Sequence, residues 1–174
     1  WTAGIVLMPS FLEGFSLTLD YWSIEIEDTI STVPPDITVE QCAVTGDPAY
    51  CNLVQRDAVG SLWITGQVIA TNVNIGSTKT AGWDANLLYN LPIGDLGSLN
   101  FSLTGTFIDS LEYEPLPGVS KYDCVGFYGP TNCGTPTPEW RSRFRTTWSM
   151  PWNVDVSLNW RYFSSVDIDL SSSD

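Results

Sequence analysis

The chain contains no histidine. That absence removes the commonest general base and every His-centred nucleophile arrangement. No glycine-rich phosphate loop is present either. Acidic residues are plentiful, but spacing singles out no pair of them, so the chain reads as a non-enzyme without a cofactor. Basic residues are scarce: seven Lys and Arg stand against twenty Asp and Glu, for a formal net charge of −13. Nucleic acid is thereby excluded as a partner, because phosphate contacts need cations. No apolar run approaches about 18 residues, which excludes a transmembrane helix. It does not exclude a membrane barrel, since half of each barrel strand faces the lumen. No initiator methionine and no signal peptide open the sequence, and Trp1 already begins an alternating run. Ser171 to Asp174 reads as polar loop. Both ends are expected to be cuts in a longer chain.

What the chain has in quantity is aromatic: eight Trp, seven Tyr and seven Phe, with charged residues at only 16%. That balance suits a membrane interface. The clearest stretch runs from Glu139 to Phe163. Trp140, Ser142, Phe144, Thr146, Trp148 and Met150 alternate with Arg141, Arg143, Arg145, Thr147 and Ser149. After Pro151-Trp152-Asn153, Val154, Val156, Leu158, Trp160 and Tyr162 alternate with Asp155, Ser157, Asn159 and Arg161. Period-2 alternation on both sides of a tight turn predicts a hairpin. Trp140 and Trp148 are eight positions apart, roughly 26 Å along a strand. Tilted by about 40°, that is roughly 20 Å of height, near the apolar band of an outer-membrane barrel.

Taken in order, the chain predicts about six strands. Trp1 to Met8 is short. Phe15 to Tyr21 alternates cleanly; the phase then shifts to Ile24 and Ile26, through a bulge near Tyr21-Trp22 or by leaving the bilayer there. Thr80 to Leu91 and Leu99 to Leu111 follow, then the two strands of the hairpin. Connections alternate in length: short at 9–14, long at 30–79, short at 92–98, long at 112–138, short at 151–153. Within the first long loop, Asp36 to Ala43 is a candidate helix capped by Asp36, and Leu62 to Val73 a hairpin arm. The fold class is therefore all-β, an antiparallel up-and-down transmembrane β-barrel segment with short periplasmic turns and long extracellular loops. A soluble β-sandwich of the carbohydrate-binding or adhesin kind is the alternative from another class. It predicts shorter strands and no asymmetry of loops.

Cys42 and Cys51 are nine positions apart, as are Cys124 and Cys133, each pair inside a long loop. Two local disulfides are expected, which need an oxidising compartment. Free thiols and a four-Cys zinc site are the alternatives, although the spacing is not that of a zinc knuckle. Arg141, Arg143, Arg145 and Arg161 share the polar face of the hairpin, and Asp84 and Asp155 the polar faces of their own strands. All six are candidates to face the lumen. They read either as charge pairs along its wall or as a basic patch for an anionic solute.

Several stretches carry a family resemblance. Asn74-Ile75-Gly76-Ser77-Thr78-Lys79-Thr80-Ala81-Gly82-Trp83-Asp84 resembles the re-entry segment of TonB-dependent receptors. Leu19-Asp20-Tyr21-Trp22-Ser23-Ile24-Glu25-Ile26 resembles one of their strands. Cys124 to Cys133, followed by Pro138-Glu139-Trp140-Arg141, is similar to the loop and strand of a proteobacterial subgroup. The resemblance implies a barrel of about 22 strands closed by an N-terminal plug. The chain at 1–174 is then a partial barrel domain from the C-terminal half, without plug, TonB box or final strands. It implies the outer membrane of a Gram-negative bacterium and active uptake of a scarce solute such as a ferric siderophore or an oligosaccharide. The implied partners are outer-membrane lipid, the protein's own plug and, through it, TonB. A passive porin is the nearest alternative. Trp63, Tyr113, Tyr122, Phe127 and Tyr128, all in the long loops, are the candidate ligand contacts, suited to stack on a catecholate or a sugar ring.

Overall fold

The computed structural model describes residues 1–63, 65–70, 72–114, 121–129 and 133–169. In chain order it forms β1 (Thr2–Leu7), β2 (Phe15–Thr32), α1 (Pro35–Thr45), α2 (Pro48–Cys51), β3 (Val54–Gln55) and β4 (Gln67–Val68). There follow β5 (Asn72–Pro92), a 3-10 turn at Gly94–Leu96, β6 (Ser98–Glu114), β7 (Tyr122–Asp123) and β8 (Phe127–Tyr128). β9 (Trp140–Met150), β10 (Val154–Phe163) and β11 (Asp167–Ile168) complete it. The chain divides into two compact units. One is Trp1–Glu25, Lys79–Glu112 and Tyr122–Asp174; the other is Ile26–Thr78 and Tyr113–Lys121.

The main sheet is a meander in the order β1-β2-β5-β6-β9-β10. The pairs β1–β2, β6–β9 and β9–β10 are antiparallel over their registers. Phe15 lies against Tyr89 and Tyr21 against Trp83, so β2 and β5 also run opposite ways. Asp84 bonds Thr106 while Asn90 bonds Asn100, which sets β5 against β6 in the same sense. Among the described residues β1 and β10 do not pair with each other, and the sheet is open. The fold is the antiparallel barrel segment that the alternation predicts.

Register explains why the strands form. Leu17, Leu19 and Tyr21 face Leu7, Ile5 and Ala3. Leu99, Leu103 and Phe107 face Trp148, Phe144 and Trp140, and Trp160 in turn faces Phe144. Every such pair falls on one side of the sheet, because side chains alternate with period 2. No second layer covers that side among the described residues. Instead Trp83, Phe144, Leu158 and Trp160 stand exposed. A soluble sandwich would bury this face against another sheet.

Aromatic rings mark the two limits of the apolar face. Trp1, Tyr21 and Trp83 form one chain of contacts, with ring centroids 5.1 and 4.9 Å apart. Phe15, Tyr89 and Phe101 form another, at 6.2 and 6.2 Å, and Phe101 leads inward to Phe144 at 6.3 Å. At the short-turn end the Trp148 indole N–H donates to the Leu96 carbonyl at 2.9 Å. An indole at a membrane interface needs such a partner for its single polar group. The Trp140 ring lies over Gly105 and fills the space a Cβ would take.

The structure corrects several expectations. β2 and β5 run further than predicted, to Thr32 and from Asn72, and the Thr32 hydroxyl donates to Asn72 Oδ1 at 2.6 Å. The first long connection is therefore 33–71, not 30–79. β6 likewise extends to Glu114. The β1–β2 register is unbroken from Leu17 to Trp22, so no bulge interrupts it there. Trp22 takes its regular place on the polar side, with its ring against Gly82.

Asp36 is not the cap of α1. Pro34 holds the N-cap position with no side-chain bond. Pro35 opens the helix, where its missing N–H costs nothing. Asp36 sits in the first turn, favourable to the helix dipole. The helix ends at left-handed Gly46, whose N–H reaches the Cys42 carbonyl at 3.0 Å. Of the expected arm at Leu62 to Val73, Gln67–Val68 pairs with Val54–Gln55, and residues from Asn72 onward belong to β5. Ile64 and Thr71 lie outside the described residues, as does the polar tail at 171–174. At the hairpin turn Asn153 is left-handed, with φ 58°. Asn tolerates that region better than most residues.

Candidate functional site

The polar side of β6, β9 and β10 gathers four of the chain's seven cations. Cross-strand pairing fixes their neighbours. Arg141 lies between Thr106 on β6 and Phe163 on β10. Arg143 lies between Thr104 and Arg161. Arg145 lies between Ser102 and Asn159. Two guanidinium groups thus stand directly opposite each other, an arrangement that costs stability when nothing neutralises it.

Of the two readings, charge pairs or a basic patch, the described residues show no ion pair between these arginines and Asp84 or Asp155. Asp84 accepts a hydrogen bond from the Thr106 hydroxyl at 2.7 Å. Asp155 stands opposite Ser149, toward the hairpin turn. Among the described residues none of these four arginines makes an ion pair, whereas Lys121 pairs with Glu114 at 3.2 Å. Arg143 donates through Nε to Asn159 Oδ1 at 3.0 Å, and Arg145 through Nη2 to the Ser157 hydroxyl at 3.2 Å. Each guanidinium carries five donors, so most remain for something else. A depression of about 390 Å³ opens among Thr104, Thr106, Arg141, Arg143, Arg161 and Phe163. A second, of about 230 Å³, continues along Ser102, Thr104, Arg143 and Arg145.

The four cysteines form two disulfides, Cys42–Cys51 and Cys124–Cys133, with S–S distances of 2.06 and 2.04 Å. Among the described residues no group of side chains is assembled to hold a metal. Cys124 is fully buried. Its loop is tied down on both sides. The Cys124 N–H donates to the Leu111 carbonyl of β6 at 2.9 Å. Asp123 Oδ1 accepts from the N–H groups of Leu111 and Val125, both at 3.0 Å. Beyond the disulfide, β8 pairs in parallel with β11, from the chain that follows the hairpin.

A family model described as TonB dependent receptor-like, beta-barrel, matches residues 1–174. The chain belongs to this family. No curated protein and no solved structure matches it. In a TonB-dependent receptor barrel the open sheet and its uncovered apolar side make physical sense, because lipid replaces the missing layer.

The five loop aromatics are shared between the two units. Trp63 and Tyr113 belong to one compact unit; Tyr122, Phe127 and Tyr128 belong to the other. Trp63 is 93% exposed, the most open of them, and Phe127 is 42% exposed. Sequence reasoning missed Phe163 and the hydroxyl row Ser102, Thr104 and Thr106. A signal existed for Phe163: it continues the polar phase of β10 and is the one aromatic in it. The hydroxyls carried no such signal, since only the register sets them beside the arginines.

Proposed function

We propose that the chain is a wall segment of an outer-membrane transporter that takes up a scarce solute actively, a ferric siderophore being the leading cargo and an oligosaccharide the next. The observation that carries this reading is the family match along all of 1–174. The aromatic limits of the apolar side support the membrane location, since Trp140 and Trp148 bracket roughly 26 Å of strand. On this reading the polar side faces the lumen, where Arg141, Arg143, Arg145, Arg161, Asp84 and Asp155 meet solute or plug. The long connections 33–71 and 115–139 stand outside the cell and hold Trp63, Tyr122, Phe127 and Tyr128, with Tyr113 at the end of β6. Binding groups on loops above a rigid scaffold are a common arrangement. The partners are outer-membrane lipid, the protein's own plug domain and TonB.

The test uses the full-length protein in cells. Deleting residues 114–134 abolishes high-affinity uptake while the barrel still inserts. Removing TonB has the same effect on uptake. Uptake that survives loss of TonB and rises linearly with external concentration replaces this reading with a passive porin.

A further inference from the structure

The polar side of the hairpin carries a small grid with a definite composition. One row is Thr106, Arg141 and Phe163; the adjacent row is Thr104, Arg143 and Arg161. Strands lie roughly 4.8 Å apart and same-face residues roughly 6.6 Å apart along each strand. The grid therefore measures about 10 by 7 Å, the footprint of one ring with one acidic substituent. It encloses the depression of about 390 Å³. Three features point to a ligand rather than to wall structure. Arg143 and Arg161 face each other without an acid between them among the described residues, so their counter-charge comes from elsewhere. Thr104 offers a hydroxyl next to them. Phe163 is the one aromatic in the polar phase of β10 and stands directly opposite Arg141.

We propose that this grid is a binding site for a small ring-bearing anion, with one carboxylate or phosphate group held by Arg143, Arg161 and the Thr104 hydroxyl. The ring lies against Phe163, and Arg141 flanks it. Planar guanidinium forks fit multi-oxygen anions in bidentate fashion. The opposed arginines thus become an asset once the anion enters. The site deepens the transporter reading by naming a solute class, and its test does not pass through TonB.

Full-length protein in detergent micelles is titrated with phenyl phosphate, benzoate, inorganic phosphate and neutral benzyl alcohol. Phenyl phosphate and benzoate are expected to bind at least about tenfold more tightly than benzyl alcohol, the worth of a charge-assisted hydrogen bond. Phenyl phosphate is expected to exceed inorganic phosphate by about threefold or more, and Phe163→Ala to erase that difference. The double variant Arg143→Gln with Arg161→Gln raises the Kd for phenyl phosphate at least about tenfold. Arg143→Lys with Arg161→Lys keeps the charge and the fold but loses the fork, and raises Kd by an intermediate factor. Phe163→Ala leaves the arginines in place, so it tests the site even where the Gln double variant fails to fold. The proposal is overturned if folded wild-type protein binds neither ring anion, if benzyl alcohol binds as well as benzoate, or if the folded Gln double variant keeps the wild-type Kd. Ring-anion binding together with TonB-independent uptake keeps the site and removes the transporter reading. TonB-dependent uptake without ring-anion binding does the reverse.

Discussion

Leu103→Lys tests which side of the sheet meets hydrocarbon. Leu103 stands opposite Phe144 on the apolar side. Phe144 is midway between Trp140 and Trp148, so this pair marks the centre of the apolar band. A lysine at the midplane of a membrane barrel costs about 2–4 kcal/mol, falling to about 0–1 kcal/mol near the interfaces. At about 1.4 kcal/mol per factor of ten, the folding equilibrium of Leu103→Lys falls roughly 30- to 700-fold. Asn86→Lys is the matched control. Asn86 shares a strand and a phase with Asp84 and Asn90, on the polar side, where a lysine meets water and costs within about 0.5 kcal/mol. Leu99→Lys, beside Trp148 at one edge of the band, falls between the two. The assay is urea-dependent folding of the full-length protein into lipid vesicles, read by tryptophan fluorescence. A Leu103→Lys variant as stable as Asn86→Lys refutes the assignment of faces.

Other outcomes follow from the same geometry. Gly105→Ala pushes a methyl group into the Trp140 ring and is expected to cost about 1–3 kcal/mol, a loss that shrinks when Trp140→Ala is added. Non-reducing peptide mapping of exported protein recovers Cys42 with Cys51 and Cys124 with Cys133; a cross-pair or four free thiols contradicts the loop structure. Residues 1–174 expressed alone are expected to be insoluble without detergent, because the apolar side has no cover and β1 and β10 offer unpaired edges. A soluble, monodisperse, cooperatively melting product argues against a membrane sheet.

Faces were legible in the sequence and register was not. Trp140 to Met150 and Val154 to Tyr162 alternate so strictly that side and strand are read directly. β2 and β5 were cut short because their far ends lack that contrast: Glu27-Asp28-Thr29 and Gly76-Ser77-Thr78 have no apolar phase to follow. The same gap explains why alternation left the neighbours of the charged side chains open. Alternation assigned Arg161 and Asp155 to one side but not their opposites. Register then placed Arg161 against Arg143 and Asp155 against Ser149. Asp36 failed as a cap for a local reason. The Pro34-Pro35 pair starts the helix one residue earlier, and a residue already inside the first turn cannot cap it. The cysteines were easier, since a separation of nine inside one loop favours local closure.

Charge decides how an anion reaches the proposed grid. Ile26–Thr78 and Tyr113–Lys121, the unit that holds α1, α2 and the β3–β4 ladder, carry seven acidic and two basic side chains. An anion approaching that unit meets net repulsion, so long-range attraction is not what selects it. At physiological ionic strength the Debye length is about 8 Å, and such repulsion fades within one or two side-chain lengths. On the proposed transporter reading, stacking on the loop aromatics, which is insensitive to charge, is the contact left for first capture. The arginines act only once the solute is within a few ångströms, where water is displaced and guanidinium forks are strongest. On that reading capture and passage depend on different properties of one molecule: its ring in the loops, its acidic group on the wall. A neutral aromatic is held by the first set of contacts and not by the second. If the proposed grid holds the solute, the scarcity of cations elsewhere is part of the selectivity, because a basic loop would pull in any anion and leave the four arginines nothing to distinguish.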